Sequence, residues 1–224
     1  MTPEEQHRLL NVTETQGKRF CSTGHVRALV YRLSLETGLR AKEIDSLKVL
    51  SFNFEASPPT VKVESSDSKG KKTDDLILME ETARKILEHF KGKQQTNKAF
   101  VLTVTDNFVK MIRADLKAAG IAYRDEAGRD VDFHSLRHSF ITNLALAGVH
   151  PSVAQKLVRH SSILLTMKYY MHVLHESEVS AIQALNNLHN TCQIGTLSKT
   201  SMDVSGMRNK DNESIRGYQL DNEG

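Results

Sequence analysis

Four blocks, far apart in the chain, carry cationic or proton-transferring side chains: Arg40 in TGLRAKEIDSL, Lys69 in SKGKK, His134 and Arg137 in HSLRHSF, and His160 with Tyr169 and Tyr170 in RHSSILLTMKYYMHV. Taken singly, each has an ordinary reading. An arginine just after a glycine stop can cap its helix through charge, and lysines in a turn belong to a solvated loop. Adjacent tyrosines half-cover a helix face and keep their hydroxyls wet. His134 and His138 stand four apart, the spacing of a two-histidine metal pair, but no carboxylate sits where a metalloprotease needs its base. Taken together, the set offers a phenolic nucleophile among cations and imidazoles, with no acidic metal cluster. Such a set suits a phosphodiester. Two arginines can fork onto the non-bridging oxygens and neutralise charge that builds in a pentavalent transition state. His134 and Arg137, three residues apart on one helix, can point into the same pocket.

A phenolic nucleophile needs such company. With a pKa of about 10 it is ionised in roughly one molecule in a thousand at pH 7, a deficit of about 4 kcal/mol. Neighbouring cations and a general base, the latter contributing about 10²–10⁴ in rate, are of the size to offset it.

In order and separation, these blocks resemble the catalytic domain of the tyrosine recombinase, or phage integrase, family over residues 1–189. The resemblance implies an α+β fold, mainly helical, with a small three-stranded antiparallel sheet. It implies that Arg40 and Arg137 hold the scissile phosphate, that His134 and His160 bond to it and help move protons, and that Lys69 protonates the departing 5′ oxygen. Glu43 would support the Arg40 region. The product of attack would be a 3′-phosphotyrosyl DNA intermediate, formed without metal, ATP or other cofactor and reversed by a 5′-hydroxyl from another strand. Double-stranded DNA would be the partner, with self-association into a tetramer on it.

Spacing from His160 permits either Tyr169 or Tyr170 as the nucleophile. The family frame Thr-x-x-x-Tyr-x-His fits Thr166, Tyr170 and His172 and points to Tyr170, with Tyr169 as a packing or DNA-facing residue about 100° round the helix. Where relatives have Leu-Gly-His this chain has Val158, Arg159 and His160. The extra cation would stand beside the pocket and touch DNA backbone or solvent.

Helices and one sheet must bring these blocks together. Thr2, Pro3 and Glu5 form a capping box that opens the first helix. Val26, Leu29, Val30 and Leu33 repeat at helical spacing up to the stop at Gly38, and Ile44 with Leu47 predict one further turn. Alternation around 48–54 and 60–65, then an apolar run at 76–79, predicts a small sheet whose charged hairpin carries Lys69. Helices follow around Ala83 to Phe90 and Phe108 to Leu116, then a polar loop at 121–132. From His134 a helix runs through Ala145, breaks at Gly148 and restarts at Pro151. Val179, Ile182, Leu185 and Leu188 mark a last helical stripe, for docking on its own domain or on a neighbouring protomer. Residues 190–224 lack any period and read as a disordered tail. The N-terminal helical domain that relatives use to clamp the other face of DNA is expected to be absent from this chain.

Composition sets the outer bounds. The chain has 224 residues, 39% hydrophobic and 25% charged, ordinary for a globular protein, and no apolar run approaches the roughly 18 residues of a membrane span. Its start, MTPEEQHRLL, does not read as a secretory signal, and Cys21 and Cys192 stand far apart, which fits a reducing cytoplasm. The net charge is +3, concentrated before residue 190, a mild sign of a polyanion partner. Two rival readings remain: a non-enzymatic helix-turn-helix DNA-binding module over 138–158, and a type IB topoisomerase that shares the chemistry but relaxes supercoils.

Overall fold

The computed structural model describes residues 1–65, 72–91, 107–125 and 128–171. By its backbone contacts the chain divides into Met1–Ser177 and Glu178–Gly224, and the architecture below is that of the first unit. The hairpin tip with Lys69, the stripe at 179–188 and the tail from 190 lie outside the described residues.

Local sequence sets the helix ends. Helix α1 (Pro3–Thr15) opens on the expected capping box, with Thr2 accepting from the Glu5 N–H and Glu5 accepting from the Thr2 N–H. Helix α2 (Gly24–Thr37) starts where the Thr23 hydroxyl accepts the Val26 N–H and stops at Gly38, whose φ is 67°. The single turn α3 (Ala41–Asp45) follows directly. Helices α4 (Glu80–Phe90), α5 (Phe108–Ala118), α6 (Phe133–Leu146) and α7 (Pro151–Leu157) complete the named set, and residues 163–171 are helical as well. Gly148, at φ 72°, separates α6 from α7 as the sequence predicts.

The sheet is antiparallel in the order β1 (Phe52–Asn53), β2 (Thr60–Val63), β3 (Asp74–Ile77), with Val61 opposite both Phe52 and Leu76. It is smaller than the alternation around 48–54 suggests, because Val49–Ser51 forms a 3₁₀ turn capped by the Ser51 hydroxyl. β3 begins at Asp74, before the apolar run. The 121–132 loop is also less polar than expected: Ile121 and Val131 are buried, and its two limbs bridge at Arg124 and Asp130.

Two apolar clusters form the interior. The larger gathers Leu9, Leu29, Leu33, Ile44, Val61, Leu78, Ile86, Ile112 and Leu136 from α1 to α6 and the sheet. Full burial of each such side chain contributes about 1.5–3 kcal/mol. Inside it, Arg27 forks onto Asp115 at 2.8 and 3.1 Å, and the Tyr31 hydroxyl donates to the same carboxylate at 2.8 Å. This buried pair ties α2 to α5. The smaller cluster holds Phe140, Ile141, Ala145, Ala154, Val158 and Tyr170, and joins α6, α7 and the 163–171 helix. The candidate site lies where α2 ends, α6 begins and α7 ends.

Candidate active site

Gly38 lets two walls of the site approach. Its left-handed φ is one reason for glycine; the other is that a Cβ there would come within 2.8 Å of the Phe140 ring and 3.4 Å of Arg137 Nη1. Arg137 donates from Nη1 to the Gly38 carbonyl oxygen and from Nη2 to that of Val158. One buried guanidinium therefore bridges the chain two residues before Arg40 to the chain two residues before His160. Burial, then the charges of Arg40 and Arg159, pull its pKa down to about 9, with Glu43 and Tyr169 opposing. It remains a cation at neutral pH.

Arg40 precedes α3, and Glu43 reaches back to it. The Glu43 carboxylate accepts the Arg40 N–H and the Arg40 Nη1, both at 2.9 Å. Arg40 is the N-cap residue of α3, and Glu43 in its first turn closes the box by accepting the Arg40 N–H. Arg159 forks onto the same carboxylate at 2.8 and 3.3 Å. Burial pushes the Glu43 carboxyl up, but bonds from Arg159 and the Arg40 N–H, with both arginine charges, outweigh it and hold the group below its ordinary 4.5. The expectation that Arg159 faces DNA or solvent is corrected here: its side chain is only 10% exposed and is paired. The cause is a glutamate 116 residues away in sequence.

His160 is fixed on both sides. Its N–H donates to the Gln155 carbonyl at 3.0 Å, the Gln155 amide donates back to its carbonyl at 3.2 Å, and its Nδ1 lies 3.0 Å from the hydroxyl of the fully buried Thr166. Burial, then Arg137, Arg40 and His134, lower its pKa to about 4. It is neutral at pH 7. His134 and His138 meet ring to ring at 4.6 Å, and His138 packs on Tyr169 at 4.9 Å. His138 is also lowered to about 4, first by burial and then by His134, against Asp132.

The structure thus brings Arg40, Arg137, His134 and His160 within mutual electrostatic reach, with Arg159, Glu43 and His138 among them. The two tyrosines have different surroundings. Tyr170 is 4% exposed, its ring sits in the smaller apolar cluster, and its hydroxyl donates to the Val149 carbonyl at 2.8 Å. Tyr169 is the one that feels Arg137, and burial outweighs that cation to raise its pKa. The reason is apolar: the ring of Tyr170 fills the space between α6 and α7, and the helical twist then turns Tyr169 toward His138. Lys69 lies outside the described residues. Thr166 and His138 join the site through packing: Thr166 orients His160, and His138 lies between His134 and Tyr169.

Chemically, three guanidinium groups gather around the single carboxylate of Glu43, with Asp74 3.8 Å from Arg159 at the rim. The surplus is positive. Arg40, with 28% of its side chain exposed, is the most accessible of these three guanidinium groups, so an anion is the ligand that this arrangement favours.

The sequence profile of the phage integrase family matches residues 1–177. The chain is 24% identical over 203 residues to a "Tyrosine recombinase XerC-like" of Caldanaerobacter subterraneus, which covers 74% of this chain and 50% of the relative. It is 28% identical over 159 residues to "Tyrosine recombinase XerA" of Saccharolobus solfataricus, covering 71% and 50%. It spans about half the length of these relatives. Among solved structures, the catalytic domain of bacteriophage HP1 integrase aligns with TM-score 0.56 and 20% identity over 85% of this chain and 96% of that one. The XerH site-specific recombinase bound to palindromic difH substrate gives 0.60 and 20% over 82% and 53%. At these identities the structures establish a shared fold, mainly helical with a small antiparallel sheet. The profile match covers most of the sequence and includes every described residue of the pocket, and on that ground the chain belongs to the phage integrase family.

Proposed function

We propose that this chain is the catalytic part of a site-specific DNA recombinase that cleaves and rejoins strands through a covalent phosphotyrosine. The observation that carries this reading is the convergence of Arg40, Arg137, His134 and His160, drawn from three separate blocks, in one positively charged cluster. A DNA-binding helix-turn-helix alone has no use for a buried arginine that joins two such walls.

The scissile phosphate sits between Arg40 and the remaining N–H groups of Arg137, and their charges stabilise the equatorial oxygens as phosphorus becomes five-coordinate. Neutral His160, oriented by Thr166, can both accept and donate a proton. The Tyr170 hydroxyl passes its proton to His160 as its oxygen forms the new bond to phosphorus, the bond to the 5′ oxygen breaks, and Lys69 supplies the proton that the departing oxygen takes. Attack by a 5′-hydroxyl of a second strand reverses these steps, so the phosphodiester energy is kept. For Tyr170 to act, its hydroxyl must leave Val149 and its ring must leave the apolar cluster. Binding of double-stranded DNA, with assembly of copies on it, supplies the free energy for that release. The compartment is the cytoplasm, in keeping with the widely spaced cysteines.

A second reading makes Tyr169 the nucleophile, favoured by its place beside His138 and within reach of the Arg137 charge. One experiment separates the two: incubation with nicked suicide duplexes in EDTA, followed by denaturing electrophoresis. Wild type and Tyr169→Phe are expected to give a protein-DNA band, and Tyr170→Phe none. No band with wild type would reject the recombinase reading.

A further inference from the structure

Arg159 occupies an unusual backbone position. Helix α7 ends in a Schellman motif, in which the Arg159 N–H donates to Lys156 at 3.1 Å and the His160 N–H donates to Gln155 at 3.0 Å. The motif needs one left-handed residue, normally glycine, and here it is Arg159 at φ 57°. A residue with a Cβ persists in that conformation when its surroundings over-determine it. The surroundings are the side-chain contacts: the fork onto Glu43 and the approach to Asp74 at 3.8 Å. Its Nε is buried and has no acceptor among the described residues, so the guanidinium is held by its two terminal nitrogens alone.

The two neighbours of Arg159 both belong to the pocket. Val158 gives its carbonyl to Arg137, and His160 is the imidazole that Thr166 orients. Glu43, on the other wall, also holds Arg40. We propose that Arg159 is a positioning residue: by clamping the α7 turn to Glu43 it fixes Arg40, Arg137 and His160 as one rigid set before DNA arrives. The inference deepens the recombinase reading and rests on it for the kinetic part of its test. Direct contact between Arg159 and DNA is the competing role, and burial of its side chain argues against that.

The test uses the full chain with Arg159→Gly, which suits the left-handed turn, and Arg159→Lys, which keeps charge but loses the fork. Three quantities are measured: duplex affinity, the rate of adduct formation at saturating DNA, and the titration of His160 by NMR without DNA. Arg159→Gly is expected to slow adduct formation by about tenfold to a hundredfold through misplacement. Its affinity should change by less than about threefold, a loss confined to the chemical step. His160 should titrate above about 4, toward the ordinary 6.5, as the turn comes away from Glu43 and the ring hydrates. Arg159→Lys should recover only part of the rate. An unchanged rate or an unchanged titration in Arg159→Gly overturns the proposal. So does a fall in affinity matching the fall in rate, with the salt slope reduced by about one, which marks a phosphate contact. Were the wild type itself to form no adduct, the recombinase reading would fail, and the His160 titration would still decide whether Arg159 holds the turn.

Discussion

The hydroxyl of Tyr170 donates to the carbonyl oxygen of Val149 at 2.8 Å, while its neighbour Tyr169 packs at a tilt against His138. Two adjacent phenols thus have separate surroundings, one apolar and one beside the cations. Tyr170→Phe keeps the ring in the cluster and removes one hydrogen bond, so it should lower stability by only about 0.5–1.5 kcal/mol. Urea unfolding checks this, and a folded Tyr170→Phe protein makes any loss of adduct a matter of chemistry.

Arg137 satisfies two carbonyls from opposite walls. Arg137→Ala leaves both unpaired, at about 1–3 kcal/mol each. Arg137→Lys can reach one of them and cannot fork, so it should be less destabilised yet lose most strand cleavage. Melting curves and adduct yield, measured on the same preparations, should separate the two effects.

Gly38 should not tolerate a side chain. Gly38→Ala combines a disfavoured positive φ, costing about 1–3 kcal/mol, with a Cβ at 2.8 Å from the Phe140 ring. The displaced segment carries Arg40. Reduced thermal stability together with slowed cleavage is the expected outcome, and Gly38→Ala with wild-type melting would contradict this view of the turn.

Acid should weaken the fold over a defined window. His138, faced by His134, Asp132, Arg137, His160 and Tyr169, and His160, faced by Arg137, Arg40, His134 and Thr166, are both lowered to about 4, chiefly by burial. The unfolded chain therefore takes up these protons first. Stability is complete above pH of about 6.5 and is lost as pH falls toward 4. Glu43, held below its ordinary 4.5, adds to the loss below that value. The melting temperature of His138→Gln should fall less steeply than that of wild type between pH 6.5 and 4.

The buried pair of Arg27 and Asp115 supports the scaffold. Asp115→Ala strands an arginine that is fully buried, and should cost about 3–5 kcal/mol. Chemical denaturation measures it.

The parts of the fold that sequence makes legible are those set by near neighbours. Thr2 with Glu5, Gly38, and Gly148 before Pro151 all specify chain direction within a few residues, and the structure has each as expected. Arg40 and the HSLRH block stand out in the sequence by residue type and order, and the structure brings them within electrostatic reach of one another. The bond between Arg159 and Glu43 was not, since it joins residues 116 apart that meet only after α3 and α7 are packed. Which tyrosine faces the cations was hidden for a similar reason. It depends on which ring best fills the gap beside Phe140 and Ala154, a packing outcome that a Thr-x-x-x-Tyr-x-His frame does not encode.

The central claim is that cations from distant parts of the chain make a phosphate attackable by the Tyr170 oxygen without a bound ion. Mass spectrometry of the adduct formed in EDTA, after nuclease and protease digestion, tests it most directly. The account predicts a nucleotide covalently attached to Tyr170. Attachment at Tyr169, or adduct formation that requires a divalent cation, would contradict it.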